Sequence, residues 1–231
     1  MSVTDTTTSA SAPTEDAEEA ARYRRERMMK VARWMLPSLV LVVSLLAWHL
    51  YVTLWEVPHY ILPGPVLVAQ SMVEDWGMLY PALLITGRLT LLALLFAVLG
   101  GVTLAVAFTQ SKWAEMSFFP YAVILQVTPV VAIAPLLQIY VENAFVAALL
   151  CAWIVAFFPI LSNTTIGLKS TDHNLEDLFT IYGATRWQRL RYLAAPSALP
   201  YFLGGLKIAG GLALIGAVVA EFVIGRAGTG L

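Results

Sequence analysis

The stretch "STDHNLEDLFTIYGATRWQRLRYLAAP", residues 170–196, decides how this chain is read. It is densely charged, yet apolar runs of 18 residues or more stand on both sides, at 144–161 and 201–224. Such a stretch lies outside a bilayer that its neighbours cross, but it carries too many local signals to be slack. Asn174 is placed to N-cap a helix beginning at Leu175, with Asp177 at N3 beside the orphan amides. Leu175, Leu178, Phe179 and Tyr182 recur at i, i+3, i+4 and i+7 and so share one face. Gly183 fits the C′ position, where a left-handed residue ends a helix. Thr185 and Gln188 form a T-x-x-Q capping box for a second helix. That helix carries Arg186, Arg189 and Arg191 with Trp187, Leu190 and Leu193, and Pro196 is expected to stop it. Two short capped helices joined at a glycine must bury their apolar face. Lipid headgroups would accept it, and so would a groove on a soluble partner. The caps argue for defined geometry, which a docking element needs.

The rest of the chain says which compartment this is. Hydrophobic residues make up 59% and charged residues 13%, against about 45–50% and about 25% in soluble domains. The expected fold class is an all-α, polytopic integral membrane protein. Five spans are expected at 34–54, 89–108, 118–140, 144–161 and 201–224, each near the roughly 20 residues that cross a bilayer. Residues 1–20 are polar and acidic and read as a disordered tail. The basic run "RYRRERMMKVAR", 22–33, then leads into the first span. That span is longer than a signal peptide's apolar core and no small-residue cleavage site follows, so it reads as an uncleaved helix. The organisation is therefore a tail over 1–33 and a transmembrane domain over 34–231. Placing the N-terminus in the cytoplasm leaves only Arg88 and Arg226 outside, of 14 Lys and Arg, as the positive-inside rule requires. The 170–196 stretch is then cytoplasmic and the loop 55–87 external. Within that loop "LPGP", 62–65, breaks the backbone. The residues after it read as a short helix along the outer surface or as a partly buried loop. The chain closes on "GRAGTGL", 225–231, which reads either as an end just outside the membrane or as a stop before one more span.

Chemistry-bearing residues are sparse. Cys151 is the single cysteine and reads as a core residue. His49, His59 and His173 are scattered, and no acid, base and nucleophile set stands at membrane depth, so no catalytic, cofactor or metal site is expected. Ala209, Ala213, Ala217 and Glu221 follow at i+4 on one face of the last span, which should pack on another helix, including one from a second copy. Glu221, an acid within a span, is a candidate for function or an interfacial group held by backbone amides or Arg226. Gln126, Thr128, Pro129, Pro135 and Gln138 make the third span polar and proline-broken. Broken helices line binding sites in transporters, and kinked packing helices look alike. Ser162, Asn163, Thr164 and Thr165 read as caps and hinges at the inner end of the fourth span.

The stretch also resembles the EAA loop of permease subunits in binding-protein-dependent ABC importers, E-A-A, three residues, G, nine residues, I-x-L-P. Here the aligned residues are Asp177, Leu178 and Phe179, then Gly183, then Leu193, Ala195 and Pro196. The glycine and proline match at the family's spacing; the acid is Asp, and the alanines are Leu and Phe. "TPVVAIAPLLQIYV" (128–141), "FFPILSNTTIGLKSTD" (157–172), "ALPYFLGGLKIAGGLALIGAVVAEFVIG" (198–225) and "LPGP" resemble the sulfonate/nitrate/taurine-type branch. The resemblance covers about 55–231, and it implies one further span beyond residue 231. It implies that the loop about 172–196 is a coupling helix inserted in a cytoplasmic ATPase subunit. Asp177, Leu178, Phe179, Tyr182, Gly183, Ala184, Arg186, Leu193 and Pro196 would form the contact. Gln126, Thr128, Pro129 and Glu221 would border the solute pathway. Implied partners are an ATPase pair, a second permease copy, an extracytoplasmic solute-binding protein and membrane lipids, with no nucleic acid. ATP and Mg would sit on the ATPase, because this chain has no G-x-x-x-x-G-K-[ST] stretch. The resemblance places the chain in a bacterial inner membrane. A channel would need no such docking element, and ATPase binding separates the two.

Overall fold

The computed structural model describes residues 15–224, which form nine α-helices and one π-helical turn with no strand. Among the described residues four helices are long and apolar enough to cross a membrane, or five if a bent pair counts as one span. The described chain divides into two units at Asp75 and Trp76.

The first unit holds α1 (Glu15–Leu54) and α2 (Pro65–Glu74). α1 is continuous through the basic run, so the expected disordered tail does not extend past Glu15; residues 1–14 lie outside the described residues. The sequence there is rich in Ala, Glu and Arg, strong helix formers, and the span below it supplies a nucleus from which the helix can propagate. The apolar side chains of α1 are exposed, Trp34 and Leu54 among them, as suits a helix whose solvent is lipid. The break at "LPGP" is real: Gly64 is the N-cap of α2 and Pro65 its first residue, where a missing N–H costs nothing.

The second unit is built round α6 (Ala144–Lys169), which packs most extensively on α3 (Trp76–Gln110) and α9 (Ala195–Ile224). The seams are made of small residues. Along α9, Ala209, Ala213, Gly216, Ala217 and Ala220 are buried, and α6 answers with Ala147, Ala148, Cys151 and Ala152. A Cβ on Gly216 would stand 2.9 Å from the Ala152 Cα, and one on Gly205 would stand 2.8 Å from the Pro159 carbonyl oxygen. The two backbones therefore touch, which is how helices associate where no water drives them together. The predicted alanine stripe packs as expected, but inside this chain and not on a second copy. Cys151 is a core residue of this seam.

Contacts along α3, α6 and α9 give their directions. Leu89 clusters with Ala147 and Ala148, and Gly101 faces Ile160, so α3 runs parallel to α6. Gly167 faces Ala198 and Gly216 faces Ala152, so α9 runs antiparallel. The expected fourth and fifth spans run longer, to Lys169 and from Ala195, and two others change more. The second begins at Trp76, well before residue 89, because the apolar run is interrupted only by Arg88 and Pro81 sits within its first turns. The third is not one helix: α4 (Lys112–Val127) and α5 (Val130–Tyr140) meet at 103° across Thr128 and Pro129. A proline forces its predecessor out of helical space, and Thr128 is extended, with ψ 124°. Of the two prolines expected to break this span only Pro129 does; Pro135 lies within α5. The pair still crosses the bundle. Glu115, in the first turn of α4, forms an ion pair with Lys169 at the end of α6, and α5 ends at Tyr140, just before α6 starts.

Candidate functional site

Beyond α6 the chain turns into the segment read as a docking element. α7 (His173–Ile181) is capped by Asp172, whose carboxylate accepts from the Asn174 N–H at 2.9 Å. Asn174, the expected cap, is instead the second residue of the helix. The C-terminal end is as expected and more complete. Gly183 takes φ +65°, its N–H donates to the Thr180 carbonyl at 3.0 Å and that of Ala184 to Phe179 at 2.9 Å, a full Schellman motif. A Cβ on Gly183 would meet nothing within 4 Å, so within this chain the glycine answers a backbone demand and not a crowding one. The capping box of α8 (Arg186–Arg189) is present in both directions: Thr185 accepts from the Gln188 N–H, and the Gln188 side chain accepts from the Thr185 N–H at 2.7 Å. Arg189 Nε donates to the Ala184 carbonyl and ties the connecting turn to α8.

The surface this builds is apolar and outward. Leu178, Phe179, Tyr182 and Ala184 line a groove with Gln188 and Tyr192, and Ile181, Tyr182 and Trp187 of the same pair are exposed, Tyr182 at 81%. Asp177 and Arg186 are exposed beside it. The expected contact set thus divides. Leu193 is buried against the chain's own helices and cannot reach a partner. Pro196 does not stop the helix either. Residues Leu190–Ala194 form a π turn in which the Ala195 N–H donates to the Leu190 carbonyl, a widened turn that carries the chain past the proline into α9. α8 and α9 are therefore one continuous helix over Arg186–Ile224. Tyr192 and Trp187 were not assigned to the contact from sequence, although their aromatic character beside the arginines was visible.

The other candidate group is not assembled. Gln126 and Pro129 are exposed at the α4–α5 break, and the Thr128 hydroxyl is spent on the Ile124 carbonyl at 2.6 Å. Glu221 is 2% exposed on α9, and the Thr86 hydroxyl of α3 lies 2.9 and 3.1 Å from its two oxygens and donates its one proton to that carboxylate. It is thus a bridge between helices in this chain, buried away from the break; Arg226, its other expected partner, lies outside the described residues. Gln138 Nε2 donates to the Ile224 carbonyl at 3.3 Å and joins α5 to the end of α9. Asn163, Thr164 and Thr165 are neither caps nor hinges but interior residues of α6, with Asn163 and Thr165 bonded to the Pro159 and Leu161 carbonyls.

The described chain is thus a small-residue helical bundle with a capped, apolar helix pair at one end. Residues 97–231 match the family described as binding-protein-dependent transport system inner membrane component. The chain is 38% identical over 216 residues to the riboflavin transport system permease protein of Chloroflexus aurantiacus, covering 88% of this chain and 78% of that one. It is 31% identical over 195 residues to the formylaminopyrimidine transport permease protein of Halalkalibacterium halodurans, covering 84% and 78%. The crystal structure of an amino acid ABC transporter with histidines shares the fold, with a TM-score of 0.58 at 23% identity over 68% of this chain and 77% of that chain. The chain belongs to this family: it is a multi-pass permease subunit of a binding-protein-dependent ABC importer for a small solute.

Proposed function

We propose that the α7–α8 pair docks in a cleft of a cytoplasmic ATPase subunit and that ATP, with Mg, is bound and hydrolysed there and not on this chain. Leu178, Phe179, Tyr182, Gly183 and Ala184 form the contact, with Asp177 and Arg186 at its edge. The single observation that carries this reading is the continuity of α8 with α9. A push on the docking helix moves the last span without a flexible joint between them, and α9 in turn carries α6 and α3 along touching backbones. The N-terminus lies in the cytoplasm, since that orientation puts the docking pair and most cations on one side. A second copy of this permease completes the pathway, and an extracytoplasmic binding protein delivers the solute. The solute belongs to the uncharged heterocyclic class, as the names of the riboflavin and formylaminopyrimidine relatives suggest; the spans, apart from Glu221, offer few charges to hold an ion.

The test is affinity purification of the chain from its own host in mild detergent, with Gly183→Arg in parallel. Co-purification of an ATPase subunit with the wild type and its loss from the variant supports docking. Absence of any ATPase under conditions that keep comparable transporters intact refutes it.

A further inference from the structure

We propose that Glu221 and Thr86 form a proton-binding site in the seam between α3 and α9. The shut seam holds Glu221 as a neutral acid, and loss of that proton loosens the seam. Three observations carry this.

The first is enclosure. Glu221 is buried in α9, and its one hydrogen-bond partner among the described residues is a neutral hydroxyl. A buried carboxylate is costly unless a cation or several donors hold it, whereas a carboxylic acid carries no such penalty. No cation among the described residues forms an ion pair with Glu221. On α3, Arg88 is exposed, with its guanidinium 6.0 Å from the Phe145 ring centre, and Tyr80 is exposed too. Tyr140 of α5 is exposed, Lys169 of α6 is paired with Glu115, and Lys207 of α9 is exposed 14 residues away. The remaining ionisable group on α6, Cys151, is a thiol buried in its seam with α9. The second observation is the proton count at Thr86. Its hydroxyl oxygen has three acceptors within 3.1 Å, namely both Glu221 oxygens and the Ala82 carbonyl, and a single proton to give. With the site filled, Glu221 donates to the Thr86 oxygen. Thr86 then donates to the Ala82 carbonyl, just as Thr90 and Thr165 donate to the turns before them. With the site emptied, Thr86 turns its proton to the carboxylate. The same heavy-atom positions serve both forms, so the site fills by rotation of one hydroxyl. The third observation is position. Glu221 lies three residues before Ile224, the last residue of α9, at the end remote from the docking pair. Parting of α3 from α9 at that end opens the acid to water, where it gives up its proton. The shut seam thus binds one proton more than the parted or unfolded chain, so acid favours it and rising pH loosens it. The site does not depend on ATPase docking.

The experiment is infrared spectroscopy of the complete transporter in vesicles at neutral pH, followed by melting in detergent across a pH series. The wild type should show a carbonyl stretching band of a protonated carboxylic acid that is missing from Glu221→Gln, whose amide keeps the shape and the donor of the neutral acid. Thr86→Val leaves the acid in place but removes its acceptor, and should shift the band; Thr86→Ser should return it. The melting temperature of the wild type should fall relative to Glu221→Gln as pH rises. The limiting slope is about tenfold in the folded-to-unfolded ratio per pH unit, the value for one proton. Identical spectra of wild type and Glu221→Gln overturn the proposal, as does a band that Thr86→Val leaves unmoved. So does a band seen in Arg226→Gln and not in the wild type, which would make Arg226 the partner of a carboxylate. A melting-temperature difference that stays constant with pH refutes it as well.

Discussion

Gly183 offers a clean separation between a backbone demand and a contact demand. Its φ of +65° is left-handed, and an L-residue with a Cβ loses about 1–2 kcal/mol there. Among the described residues, its chain neighbours aside, no atom lies within 4 Å of the place a Cβ would take, so the penalty within this chain is conformational. It acts on the Schellman turn, whose two hydrogen bonds set the angle between α7 and α8. A loss of about 1–2 kcal/mol shifts the population of that turn by about 5- to 30-fold. Asn visits the left-handed region at low cost and a β-branched residue does not. Asn, Ala and Val at this position should therefore retain ATPase co-purification and solute-stimulated ATP hydrolysis in the order Asn above Ala above Val. If the order is instead set by side-chain size, with Ala tolerated and Asn as damaging as Val, the glycine serves close approach of a partner and the conformational argument fails. If Val behaves like wild type, the turn is not under any demand.

Other outcomes follow from the bundle. Gly205→Leu drives a side chain into the Pro159 carbonyl and Asn163, 2.8 and 2.9 Å away, and should cost about 1–3 kcal/mol, read as a lower melting temperature in detergent; Gly210→Leu, where a Cβ meets nothing within 4 Å, should be near neutral. Thr86→Val removes the donor to the buried Glu221 and should destabilise by about 1–3 kcal/mol, with Thr86→Ser restoring most of it. Thr185→Ala breaks the capping box and should cost about 1 kcal/mol of α8 stability, seen as faster amide exchange at 186–189. Glu115→Ala breaks an ion pair whose lysine is half exposed and should change the melting temperature little, since such pairs contribute about 0–1 kcal/mol.

What could be read from sequence was what is local. The capping box at Thr185 and Gln188 and the left-handed Gly183 involve residues within a few positions of each other, and both are present. The alanine stripe was equally legible, since its period alone marks a packing face. Its partner was not: the face is closed by Ala148, Cys151 and Ala152 of the same chain, and periodicity says nothing of which helix answers. Glu221 shows the same limit more sharply. Its donor, Thr86, lies 135 residues away, in a segment read as external loop. Pro196 does not stop the helix because a stop depends on the turn before it, and a proline in sequence does not announce that this turn is π-wound. Leu193 was assigned outward by alignment to a motif, whereas the same turn rotates it into the bundle. The 103° bend at Pro129 was signalled as an interruption, but a span and a broken span have the same hydropathy.

The π turn has a geometric consequence for how the docking helix is aimed. An α-helix advances about 100° per residue, and a single i→i−5 turn holds one residue in excess of that winding. The azimuth of α8 about the long axis of α9 is therefore a matter of phase. Removing one residue from 190–194 would return the ladder to even winding, at the cost of bundle contacts made by the buried Leu190 and Leu193. The π turn thus absorbs a one-residue length difference without re-aiming the docking surface, whereas the same change in the evenly wound ladder on either side would turn that surface by roughly 100°.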